Sequence, residues 1–189
     1  MGSMTNDRDS EHAAPRVFTI GHSTRSFDAV LAMLRSNGVT ELVDVRSFPS
    51  SRTFPQWNQD AITDALPADI GYRWIRNLGG RRHTAAGVTS PNGAWRVKAF
   101  RDYADYMATE EFSSGLAELL RVAHKSVPAI MCSEAVPWRC HRRLITDALI
   151  VAGVEVFDIM SVSSTRRATM DAFASVRDGK ITYPEPETA

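Results

Sequence analysis

The chain has 189 residues, the length of one domain, and a domain of that size puts about 70% of its unfolded surface inside. Hydrophobic residues make up 43% and charged residues 23%, which excludes a disordered chain, a collagen-like fibre and a disulfide scaffold. Basic and acidic residues balance at 22 each, against the basic excess of a general nucleic-acid binder. No apolar run reaches the roughly 18 residues of a membrane span. The polar opening lacks the apolar stretch of a signal peptide, so the expected compartment is the cytoplasm. The two cysteines, Cys132 and Cys140, are not expected to form a structural disulfide there. Of the 22 basic residues only Lys98, Lys125 and Lys180 are lysine. Arginine carries a planar fork suited to phosphate and carboxylate, so arginine clusters need watching.

Residues 1–15 read as a disordered tail that begins with a tag remnant before Met4. Val17 to Ile20 reads as a short buried strand stopped by Gly21. Ser26 can cap a helix whose apolar positions, Phe27, Val30, Leu31 and Leu34, follow helical spacing, and Asn37-Gly38 ends it. Glu41 to Val45 reads as a second strand. An irregular loop follows to Asn58, then a short helix over 60–66 and a third strand over 72–75. Residues 77–96 lack periodicity, and a loop of that length is functional or disordered. Helical spacing returns at Phe100, Tyr103, Ala104 and Met107, and again at Phe112, Leu116, Leu119 and Leu120. Val127 to Met131 is a fourth strand. Pro137 suits the first turn of a helix running to Ala152, and Val154 to Met160 is a fifth strand. The tail from Thr165 is weakly patterned, with one short helix at most.

Strands alternating with helices predict a single-domain α/β fold, Rossmann-like or flavodoxin-like, with a mainly parallel sheet flanked by helices on both faces. The domain would span 16–162, with 163–189 as a C-terminal extension. Strand one is expected in the centre, beside strands two and four. Ligands of such sheets bind beyond the carboxyl ends of the strands.

Those strand ends carry the polar chemistry. Strand one ends in Gly21-His22-Ser23, strand two in Asp44-Val45-Arg46, and strand three runs into Gly79-Gly80-Arg81. Strand four ends in Cys132-Ser133-Glu134, followed by Cys140-His141-Arg142. On a helix starting at Pro137, the free N–H groups of the first turn would lower a thiol pKa and attract an anion. Arg142 would add a bidentate donor. Three readings of this segment stay open. Cys132 or Cys140 could be a thiolate nucleophile, with His22 or His141 as base and Glu134 as a further acid/base. Cys132, Glu134, Cys140 and His141 could be ligands of a transition metal, although the spacing is not that of a zinc knuckle. The cysteines could also be buried small hydrophobes while Glu134 and Arg142 pair to hold the loop. Asp44 and Arg46 either read a ligand or pin their loop. Arg46 and Arg52 sit in a loop with Phe48, Phe54 and Trp57, a mixture that can seat a base and its phosphate, or whose aromatics form a small satellite core under the loop, the reading preferred for Phe48 and Phe54. The Gly-x-Gly-x-x-Gly motif is absent after strand one, which disfavours a standard dinucleotide site.

The runs Thr19-Ile20-Gly21-His22-Ser23, Leu42-Val43-Asp44-Val45-Arg46 with Pro49, Leu78-Gly79-Gly80-Arg81, Tyr103-Ala104-Asp105-Tyr106-Met107 and Met131-Cys132-Ser133-Glu134…Cys140-His141-Arg142 together resemble the domain-of-unknown-function-488 family. The resemblance covers roughly 17–159. It implies a compact bacterial or archaeal α/β domain and hands over no reaction. Its signature residues coincide with the strand-end rim, and Ser133 stands where family members often carry Ala. The expected function is therefore an enzyme acting on a small anionic substrate, a nucleotide or another phosphate-bearing molecule. The anion would be held by Gly21, Ser23, Asp44, Arg46, Arg52, Gly79, Gly80, Arg81 and Arg142. The alternatives are a non-catalytic nucleotide or nucleic-acid binding module, and a metalloprotein.

Overall fold

In the computed structural model, which describes residues 14–85 and 87–186, the five apolar runs form the parallel strands β1 (Arg16–Gly21), β2 (Glu41–Asp44), β3 (Gly71–Trp74), β4 (Pro128–Cys132) and β5 (Glu155–Ser161). The expected tail of residues 1–15 falls almost wholly outside the described residues. A sixth strand, β6 (Ser164–Arg167), pairs antiparallel with β5, and the sheet order is β3-β2-β4-β1-β5-β6. The sheet is mainly parallel, as expected of a single-domain α/β fold. The neighbours differ from expectation: β4 lies between β1 and β2, so strand one touches four and five. The chain reverses direction across the sheet around β4 and β1, and ligand clefts form at such a switch point.

Helices cover both faces because each buried strand carries apolar side chains to both sides. The helices α1 (Phe27–Ser36) and α2 (Gln59–Ala65) pack on one face through Val30, Leu34 and Ile62 against Phe18, Ile20 and Leu42. The other face takes α3 (Lys98–Tyr106), α4 (Glu110–Ala123) and α5 (Arg142–Val151). Tyr103, Leu119, Leu144 and Leu149 meet Val17, Val43 and Ile130 there. The Ser26 hydroxyl caps α1 as expected, accepting the Ala29 N–H at 3.2 Å.

Two elements differ from the sequence reading. No helix begins at Pro137. Pro137–Arg139 is a single 3-10 turn, Cys140 is extended at φ −132° and ψ 148°, and α5 starts only at Arg142. The extended break turns the Cys140 side chain inward, where a continuous helix would have carried it around the axis. The tail holds no helix among its described residues. Beyond β6 it forms the hairpin β7 (Ser175–Arg177) and β8 (Lys180–Thr182). Its two-residue turn is Asp178-Gly179, both at positive φ (50° and 73°), the signature of a type I′ hairpin. Residues 163–189, set apart by sequence as an extension, thus supply a sheet strand and the fully buried Tyr183. Among the described residues no helix is long and apolar enough to cross a membrane.

Candidate functional site

The carboxyl ends of β1, β2 and β4 open into a cavity of about 680 Å³, within the size range of small-molecule sites. The β1 and β4 extensions zip together beyond the sheet: His22 N–H donates to the Cys132 carbonyl at 3.0 Å and Ser23 N–H to the Ser133 carbonyl at 2.9 Å. This close approach requires glycine at position 21, because a Cβ there would stand 1.8 Å from the Glu134 carbonyl oxygen. Ser23 adopts φ +48°, a left-handed conformation that costs a non-glycine residue about 1 kcal/mol. Strain of this kind concentrates at functional sites.

One wall comes from Asp44 and Arg46. Asp44 is fully buried and Arg46 nearly so. The guanidinium donates from Nε to both carboxylate oxygens at 2.9 and 3.1 Å and from Nη2 to Oδ2 at 2.5 Å. The Tyr72 hydroxyl donates to Oδ2 at 2.9 Å. Asp44 itself does not line the cavity; it fixes Arg46, which does. Arg46 Nη1 lies 3.5 Å from His22 Nε2. His22 Nδ1 faces the Ser23 carbonyl at 3.0 Å, and a carbonyl only accepts, so Nδ1 carries the proton and Nε2 offers its lone pair to Arg46. The ring stacks on Trp57 with centroids 4.5 Å apart. Burial, assisted by the Arg46 charge, lowers the His22 pKa to about 4. His22 is therefore a neutral support for Arg46, which weakens the reading of it as a general base.

The floor carries the sulfur chemistry. Both cysteines are free, buried and part of the cavity lining. Arg142 is 0% exposed and does not line the cavity, contrary to its expected role as a ligand-binding donor. Its N–H groups are taken by the protein: Nε donates to Cys140 Sγ at 3.3 Å, Nη1 to Thr19 Oγ1 at 3.3 Å and Nη2 to the Glu134 carbonyl at 2.6 Å. A buried guanidinium needs a negative partner, and among these acceptors Cys140 alone can ionise. Burial opposes the Cys140 thiolate, but hydrogen bonds from Cys132 and Arg142 outweigh it and bring the pKa down to about 6. Cys132 moves the other way, to about 12, because its S–H donates to Cys140 and because it is buried. His141 Nε2–H donates to the Val45 carbonyl at 2.9 Å, which leaves Nδ1 facing Cys140 Sγ at 3.6 Å. Gly80 seats the ring edge, since a Cβ there would lie 2.4 Å from His141 Nδ1.

The other expected residues divide by location. Ser23, Gly80, Arg81 and Glu134 line the cavity together with Ser47, Phe48, Phe100 and Arg139. Gly79 packs against Ser47 behind the wall. Arg52 is exposed and lies outside the cavity. The Glu134 side chain is exposed, while its backbone carbonyl holds Arg142. Arg81 and Arg139 form no ion pair among the described residues. Glu134 is the one acidic residue of the lining, which also holds Arg46, Arg81 and Arg139. The sequence reading missed Arg139 and Phe100. Arg139 directly precedes Cys140, which is a usable signal; Phe100 lies on a helix face that reads as core.

Of the four expected metal donors, three come together. Donor atoms of Cys132, Cys140 and His141 lie within 4.8 Å of one another, and Glu134 is not among them. A cation on Cys140 would have to displace the Arg142 N–H and sit beside a buried guanidinium. That arrangement fits a thiolate better than a metal.

A family model described as "Domain of unknown function DUF488" matches residues 26–149. No curated protein and no solved structure matches the chain.

Proposed function

The chain belongs to the DUF488 family, which assigns it no reaction, and we propose from the cleft itself that it is an enzyme acting on a small anionic substrate, a nucleotide or another phosphate-bearing molecule, with Cys140 as thiolate nucleophile. The observation that carries this reading is the fully buried Arg142, whose one ionisable acceptor is Cys140 Sγ at 3.3 Å. A thiolate is the nucleophilic form of cysteine, and this one opens onto a cavity. Arg46, Arg81 and Arg139 hold the anion there, with fork geometry suited to oxyanions. His141 Nδ1 shuttles the proton of Cys140, and the Glu134 carboxylate at the rim serves as the further acid/base group.

The test has two parts. Cys140 should alkylate with iodoacetate at neutral pH at least tenfold faster than an unperturbed thiol, and inorganic phosphate should slow it by occupying the arginines. A panel of nucleotides and phosphorylated metabolites should then yield a product with the wild-type chain and none with a folded Cys140→Ser variant. Slow alkylation would overturn the nucleophile. Ligand-induced thermal stabilisation without any product would make the cleft a binding module instead.

A further inference from the structure

The two sulfurs on the cavity floor lie within 4.8 Å of each other, and the proposed nucleophile alone does not need that. Cys132 ends β4, whereas Cys140 follows the 3-10 turn eight residues later. The chain between them loops out and returns so that both side chains line one cavity. Their sulfurs lie within 4.8 Å of each other. The pair is also asymmetric. Arg142 Nε donates to Cys140 Sγ at 3.3 Å and His141 Nδ1 faces it at 3.6 Å, whereas among the described residues no guanidinium donates to Cys132, whose Sγ lies 3.9 Å from the Ser133 hydroxyl. A structural pair of buried thiols needs neither a buried guanidinium nor an opening to a cavity.

We infer that Cys132 and Cys140 form a redox-active dithiol, with Cys140 attacking and Cys132 resolving, whose substrate is an anionic low-molecular-weight disulfide. This rests on the reading of Cys140 as the nucleophile and names a reaction class for the same cleft, with an anionic disulfide as the substrate in place of a nucleotide or other phosphate-bearing molecule. The Cys140 thiolate attacks one sulfur of R–S–S–R; the substrate S–S bond breaks, a Cys140–S–S–R bond forms, and RS⁻ leaves. Cys132 then gives up its proton and attacks Cys140 Sγ. The Cys132–Cys140 bond forms, and the second RS⁻ departs with that proton. Two electrons pass from the two cysteines to the substrate, which leaves as two thiols, one of them protonated from solvent. A dithiol reductant reopens the pair for the next turnover. Closing the bond brings sulfurs that lie within 4.8 Å to about 2.0 Å. The anionic groups of R meet Arg81 and Arg139, which have no acidic partner among the described residues, and the cavity of about 680 Å³ accommodates a molecule of that size.

The experiment uses glutathione disulfide as the probe and intact-protein mass spectrometry as the readout. Wild-type chain should pass through a glutathionyl adduct and end with two hydrogens lost and neither cysteine alkylatable. Folded Cys132→Ser and Cys132→Ala variants should stop at one stable glutathionyl group on Cys140. Cys140→Ser should react at least tenfold more slowly. A persistent adduct on Cys140 of the wild type, or equal reactivity of Cys140→Ser and Cys132→Ser, overturns the resolving role while leaving Cys140 as a nucleophile. A Cys140 that neither alkylates nor exchanges overturns the nucleophile itself.

Discussion

Asp44→Asn is the substitution whose consequence the geometry defines most closely. Asp44 is 0% and Arg46 6% exposed, so the pair is not weakened by water as a surface ion pair would be. The carboxylate accepts from Arg46 N–H at 3.0 Å, from Arg46 Nε and Nη2, and from the Tyr72 hydroxyl. Asparagine keeps one acceptor oxygen and points an NH₂ at this donor set, of which only the Tyr72 hydroxyl can also accept. It leaves a buried guanidinium without a counter-charge. Breaking a buried pair on one side costs about 3–5 kcal/mol, out of the roughly 5–15 kcal/mol that holds a domain together. For a chain of this length each kcal/mol moves Tm by about 2–4 °C, so a fall of roughly 6–20 °C is expected. Denaturant unfolding with an unchanged m-value is the assay. The companion double variant Asp44→Asn/Arg46→Met removes the stranded charge and should recover at least about 2 kcal/mol of the loss. A single-variant loss below about 1 kcal/mol, or a double variant no more stable than the single, would refute the reasoning.

Four further outcomes follow from the same geometry. The rate of Cys140 alkylation by iodoacetamide should rise with pH to a midpoint near 6, and Cys132→Ala, which removes a hydrogen bond to the thiolate, should shift that midpoint upward. His22 has its folded pKa depressed from 6.5 to about 4, so its contribution is full above 6.5 and is lost as pH falls toward 4; at 1.36 kcal/mol per unit that is about 3 kcal/mol. Asp147, raised from 3.8 to about 6 mainly by burial, acts oppositely, losing stability as pH rises across that window. The stability difference between wild type and His22→Phe is therefore the quantity to follow, and a difference independent of pH between 4 and 6.5 would refute the assignment. Gly80→Ala forces His141 away from a Cβ placed 2.4 Å from its Nδ1; it should cost about 1–3 kcal/mol by overpacking and slow Cys140 alkylation. Equimolar zinc should leave that alkylation unchanged because Arg142 occupies the sulfur, whereas protection by zinc would revive the metal reading.

How much of this was legible in the sequence depends on whether a feature is local. Strand runs, the Ser26 cap and the Asn37-Gly38 stop are set by neighbouring residues, and they appear where the sequence puts them. The hairpin over 175–182 was equally local. Asp178-Gly179 is a strong turn signal, and it was overlooked because the flanking strands are three residues each and carry little apolar alternation. Strand order was not local. It is decided by which apolar faces can be buried together, and β4, apolar along its whole length, takes a central place that chain order does not announce. The site divides in the same way. Strand-end position brought Cys132, His22, Arg46 and Cys140 to one rim, because parallel strands must all end on that side. Position did not reveal direction. His22 and Arg142 stand at adjacent strand and helix ends and looked alike as ligand-facing groups, yet one is a neutral ring held against Trp57 and the other a buried counter-charge to sulfur. What separates them is the single extended residue at Cys140. Continuing the 3-10 turn as helix would carry the sulfur away from Arg142 and Cys132, and a buried arginine would be left with only neutral acceptors. The extended residue at Cys140 is thus what sets the sulfur beside Arg142, and the proposed thiolate depends on that one-residue change of backbone conformation.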